Sequence, residues 1–150
     1  MKQDERSVVR EAQRHAQQDL LHEGFIRPAV FMLVRCNPQT GAPMSRPAAI
    51  GHVLDGSSED GEHTAWLDAI RSEAKRLGAL AVALCVEAEA EVDDGQSLRV
   101  AMIHVEDEHG LEVLHAPIDR TGVGARIGTF VALAGAEASE ATGIPALLGE

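Results

Sequence analysis

The chain has 150 residues, a length that suits one domain spanning 1–150 and able to bury about 68–70% of its unfolded surface without a disulfide or structural metal. Its formal charge of −11, with three phenylalanines, one tryptophan and no tyrosine, excludes simple nucleic-acid binding, because phosphates call for clustered cations and bases for aromatic platforms. The same charge argues against an anionic membrane surface, no apolar run reaches the roughly 18 residues of a spanning helix, and the polar opening MKQDERSVVREAQRHAQQDL lacks the apolar core of an export signal, so a cytoplasmic protein is expected.

Residues Asp4 to His22 read as a helix, with Val9, Ala12, Ala16 and Leu20 on one face. Gly24 suits its left-handed cap, with Phe25 folding back on the last turn, and Pro28 stops it. Ala29–Arg35 is an apolar strand, NPQTG (Asn37–Gly41) a turn, and Ala48–Leu54 a second strand. The polar loop Asp55–Glu62 leads to a second helix, Glu62 to Leu77, whose inner face carries Trp66, Ala69, Ile70, Ala74 and Leu77 and whose stop is Gly78.

Ala79–Glu91 is the most informative segment. Leu80, Val82, Leu84 and Val86 make a bulky face, and Ala79, Ala81, Ala83 and Cys85 a small one. Both faces are apolar, so both are expected to be covered, the small one by a helix lying close to the sheet. Leu98–Glu106 and Leu111–Ile118 follow as strands joined by hairpins at DDGQ and DEHG. The pattern leaves the conformation of the tail, residues 119–150, open between strand and helix. The expected fold is α+β: a single-layer, largely antiparallel five-stranded sheet with two helices, in the order α-β-β-α-β-β-β.

Candidate chemistry is sparse. RTGVGARIG (Arg120–Gly128) has glycines and two cations, Arg120 and Arg126, that suggest an anion cradle. Its third glycine comes one residue late for a dinucleotide fingerprint and no lysine follows, so a structural loop is expected. His104 and His115 meet as metal ligands only if the DEHG hairpin has the two-residue loop His109-Gly110. A three-residue loop, Glu108-His109-Gly110, sets His104 against Leu114 and turns His115 to the other face. His52 and His63 bracket an acidic helix start that dipole complementarity explains without a metal. Glu87 continues the small face toward the strand end as a partly buried acid whose pKa burial would raise, with Arg120 as its conceivable partner; the two are the candidate catalytic residues, although such a pair is more often structural. Cys36 and Cys85 read as reduced, buried thiols.

The stretches GFIRP (Gly24–Pro28), VEA (Val86–Ala88) and PIDR (Pro117–Arg120) resemble a family of small uncharacterised bacterial proteins. Where those carry Trp after the Glu-Ala pair, this chain has Glu89. That resemblance implies no activity. The element order also resembles the profilin-like layout of roadblock domains, which implies that the strand after the second helix lies at a sheet edge. A doubly apolar edge strand invites pairing with a second copy, so a homodimer is expected, with Leu80, Val82 and Leu84 at the interface.

The leading functional expectation is a non-catalytic domain that self-associates or binds another protein, without cofactor. The alternative is a metal-dependent enzyme or metal-binding protein built on the histidines and nearby carboxylates. A third reading has the acidic surface mimic nucleic acid toward a basic partner.

Overall fold

The structure, a computed structural model, describes residues 6–54, 60–91, 97–120, 122, 124–134 and 148, with the side chains at 60–65, 90, 91, 97, 133 and 134 outside that description. It is α+β, with helices α1 (Arg6–Glu23) and α2 (Asp60–Leu77) and strands β1 (Ala29–Cys36), β2 (Pro43–Val53), β3 (Ala81–Glu91), β4 (Ser97–Asp107), β5 (Gly110–Asp119), β6 (Arg126–Ile127) and β7 (Val131–Ala134). The strands form an antiparallel sheet in the order β2-β1-β3-β4-β5-β6, and β7 also pairs with β5. The five expected strands are all present. β6 and β7 come from the tail, where hydrophobic periodicity is too short to assign a strand.

Each helix covers a different face. Val8, Val9, Ala12, Ala16 and Leu20 of α1 pack on Phe31, Leu33, Ala81, Ala83, Cys85, Ala101 and Ile103. Alanine dominates this contact: Ala12, Ala16, Ala29, Ala81, Ala83 and Ala101 are all fully buried. With so little side chain between them, helix and sheet approach closely, which is how a chain poor in aromatics reaches interior packing density. Leu67, Ile70, Ala74 and Leu77 of α2 cover the opposite face, on Val30, Met32, Val34, Val82 and Leu84. The two faces of β3 are thus buried as the alternation predicts.

Its position corrects the roadblock-like expectation. β3 is internal, paired with β1 on one side (Phe31 opposite Ala83) and β4 on the other (Cys85 opposite Ile103). A strand apolar on both faces gains most from the centre of a covered sheet. The interface assigned to Leu80, Val82 and Leu84 therefore has no free β3 rim: Val82 and Leu84 lie buried under α2, and Leu80 is half-buried against the α1 side.

Local chemistry sets the ends. Gly78 (φ 60°) closes α2, with Ala79 N–H donating to Ala74 O at 2.8 Å and Gly78 N–H to Lys75 O at 3.4 Å, the paired bonds of a Schellman cap. In the NPQTG turn, Asn37 Oδ1 accepts from Gln39 and Thr40 N–H, and Gly41 takes φ 74°. β2 begins at Pro43, earlier than expected, because prolines that break a central strand are tolerated at an edge. Gly24 (φ 80°) caps α1 as expected, but Phe25 is 51% exposed and it is Ile26 that turns inward.

Candidate interaction site

Two carboxylates with little exposure, Glu87 and Asp19, hold segments of the chain together. Glu87 is the clearest case. It stands on the α1 face of β3, two residues beyond Cys85. One carboxylate oxygen accepts from Arg120 Nη2 at 2.9 Å and from the backbone N–H of Ile26 at 3.2 Å. The other accepts from Arg99 Nε at 2.9 Å and Nη2 at 2.8 Å. Arg120 also donates to Gly24 O at 3.1 Å. Burial pushes the Glu87 pKa up, but the hydrogen bonds from Arg99, Ile26 and Arg120 outweigh it and hold the carboxyl below the ordinary range. The expected pairing with Arg120 is present; the expected rise in pKa is not, because Arg99 and a main-chain donor join it.

Asp19 does the same on α1. Its carboxylate accepts from the backbone N–H, Nε and Nη2 of Arg27 at 2.8–2.9 Å, and His15 Nε2 lies 3.4 Å away. Here too burial raises the pKa and the Arg27 bonds more than reverse it. The GFIRP stretch thus has a role for each end: Gly24 caps the helix, Ile26 reaches Glu87, and Arg27 clamps Asp19. Sequence reasoning missed Asp19, yet the signal existed, since an acid three residues after Ala16 on the apolar stripe demands a partner.

The histidine candidates do not converge. His52 is exposed on β2, and the side chain of His63 lies outside the described residues. The β4–β5 hairpin has neither expected loop. Asp107 pairs with Gly110 around Glu108-His109, because Asp107 Oδ1 accepts from both His109 N–H (2.7 Å) and Gly110 N–H (3.1 Å) and draws the turn back. His104 consequently opposes Val113, and His115 opposes Met102, on the same face but two rungs away. His104 is buried against Glu106, with Nε2 2.7 Å from Oε1, while Glu106 Oε2 accepts from Leu148 N–H at 2.9 Å. Among the described residues, no three His, Cys, Asp or Glu side chains group as metal ligands.

In the Arg120–Gly128 stretch, Thr121 and Val123 lie outside the described residues. Arg120 is occupied by Glu87 and Gly24, and Arg126 lies exposed on β6 opposite Asp119. Gly128 N–H donates to Pro117 O at 2.9 Å, and a Cβ on Gly128 would meet the Pro117 ring at 2.9 Å. Gly128 lets the chain pass close along β5.

Among the described residues, the sheet edge at β2 carries no second strand. At the other end of the sheet, β6 and β7 occupy the outer side of β5. β2 pairs with β1 alone among the described strands, and Ala48, Ala49, Gly51 and His52 are exposed. Its bonding direction follows from the register. Leu54 N–H donates to Pro28 O at 2.8 Å, and in the same register Val30 opposes His52 and Met32 opposes Ile50. Hydrogen-bonding residues alternate in an antiparallel ladder, so the even-numbered residues bond to β1. Ala49, Gly51 and Val53 therefore turn their N–H and C=O groups outward. Pro47, two residues before Ala49, has no N–H to add.

Beside this rim lies a cavity of about 590 Å³ between β2 and α2, lined by Met32, Ile50, Leu54, Ala69, Ile70 and Leu77 among others. On the opposite face, the Phe31 ring lies over Gly51 so closely that a Cβ there would stand 2.6 Å from it. Sequence reasoning missed this site because an edge is a property of topology, which no local pattern encodes. Among the described residues, no helix is long and apolar enough to cross a membrane. No family model, curated protein or solved structure matches this chain.

Proposed function

We propose that the chain is a non-catalytic protein-interaction module that works by strand addition at the open edge of β2, in the cytoplasm. One observation carries the reading: the outward main-chain groups of Ala49, Gly51 and Val53 stand beside a largely apolar cavity that Glu73 and Arg76 also line. Strand addition uses both parts, main-chain bonds for affinity and alternate side-chain pockets for specificity. An incoming strand hydrogen-bonded to this rim directs every second side chain toward the α2 face, where Ile50 and Leu54 border the cavity. The buried carboxylates support the same reading from the other side, since Asp19 and Glu87 are tied to arginines and main-chain donors.

The test is a selection of extended peptides from a displayed library against the immobilised protein, followed by Ala49→Pro. That substitution removes one outward N–H and leaves the ladder to β1 intact. Selected peptides are expected to shift the amide resonances of Ala49, Gly51 and Val53 and to bind the variant at least about tenfold more weakly, one ladder bond and its geometry being lost. Peptides that bind the variant equally well, or that map away from β2, overturn the reading.

A further inference from the structure

We propose that the strand added at β2 is the β2 of a second copy, in an antiparallel pair whose two-fold axis passes at Gly51. This inference rests on the strand-addition reading and names its occupant.

The outward groups read identically from both ends. With the axis at Gly51, Ala49 of each copy faces Val53 of the other and Gly51 faces Gly51, which makes about six ladder hydrogen bonds, two for each paired rung. Shifting the axis toward the strand start brings Pro47 into the ladder and loses donors, so the Gly51 register satisfies the most main chain.

Charge points to the same surface. The chain carries −11, so two copies repel wherever acidic faces meet. β2, PMSRPAAIGHV, contains no Asp or Glu, and its one formal charge, Arg46, lies outside the three paired rungs. Pro43, Pro47 and Arg46 guard the first half of the edge in the way natural sheets avoid unwanted pairing, and the half from Ala48 to Val53 lacks such guards.

The side chains agree. On the α1 face the rungs carry alanine, glycine and valine, which crowd neither strand. On the α2 face, Ile50 of each copy comes beside His52 of the other. Ile50 is only half-buried in one copy, and pairing brings the cavities of the two copies together across the axis to enclose it. Such a contact is isologous: it uses up both β2 edges, and association stops at two.

Sedimentation equilibrium at tens of micromolar is expected to give the dimer mass, and Ala49→Pro to raise the dissociation constant at least about tenfold. In a Cys36→Ser background, mild oxidation of Ala49→Cys chains mixed with Val53→Cys chains is expected to give a covalent heterodimer. Directly bonded rungs hold Cα atoms about 5.5 Å apart, within disulfide reach. Ala49→Cys chains alone are expected not to cross-link. Should the variants fail to fold, amide exchange of the parent serves: Ala49, Gly51 and Val53 are expected to slow as concentration rises. A monomer at these concentrations, a dimer indifferent to Ala49→Pro, or self-linking of Ala49→Cys overturns the proposal. A monomer whose selected peptides still depend on Ala49 removes the second copy and leaves strand addition standing; failure of both arms removes both.

Discussion

Glu87→Ala tests the hub most directly. The substitution removes the acceptor of four N–H groups on three residues, Ile26, Arg99 and Arg120. Ile26 is 3% exposed, and its stranded N–H costs about 1–3 kcal/mol, the penalty for a buried unsatisfied donor. Arg99 and Arg120 have side chains 43% and 38% exposed, so each returns to water at a loss of about 0–1 kcal/mol. The expected destabilisation is about 1–5 kcal/mol, which for a domain of this size lowers Tm by roughly 2–20 °C. Urea unfolding with an unchanged m-value measures it. The pH dependence adds a second readout, best taken with Glu87→Gln. Because the folded pKa of Glu87 is lowered, its ionised form stabilises the protein above the ordinary carboxylate range, and that stability disappears as pH falls through the folded value. Parent and Glu87→Gln curves are therefore expected to converge in acid. A change below about 0.5 kcal/mol for the alanine variant, which is the size of an ordinary surface substitution, refutes the reasoning, as does a Glu87→Gln difference constant with pH.

Other expectations concern packing and buried groups. Gly51→Ala places a Cβ 2.6 Å from Phe31 Cε1 and is expected to cost about 1–3 kcal/mol in Tm measurements, with Phe31→Leu recovering part of it in the double variant. Arg27→Ala leaves buried Asp19 with only the main-chain N–H of residue 27 and His15 beside it, and is expected to lower the urea midpoint; Arg27→Lys is expected not to restore it, since an ammonium lacks the two-pronged geometry. Burial and the nearby Asp19 charge push the Cys85 thiol up to about 12, so at pH 8 a thiol reagent is expected to modify half-buried Cys36 in the native protein and Cys85 only after unfolding. Rapid native labelling of both cysteines contradicts this.

What was legible in the sequence follows from the range of each interaction. Alternation revealed both faces of β3, because side-chain direction is local. Which strands flank β3 depends on where α2 returns the chain, and the analogy to a known layout supplied the wrong neighbour. Glu87 and Arg120 were paired correctly from a small-residue face running into an acid near PIDR. Arg99 was overlooked although the β3–β4 register places it opposite Glu89, one rung diagonal to Glu87. His104 and Glu106, two residues apart, necessarily share a strand face, so their pairing was also readable. The hairpin register was not, since it turns on one Asp107 oxygen holding two amides.

The Glu87 hub also has a consequence in time. Its ligands come from Ile26, Arg99 and Arg120, so the chain through β3 is synthesised before either arginine exists. Until then, seating β3 beneath α1 means burying a lone negative charge. The hub is therefore complete only when the end of β5 has joined the sheet, which ties the order of the outer end of β3 to that of strands made after it.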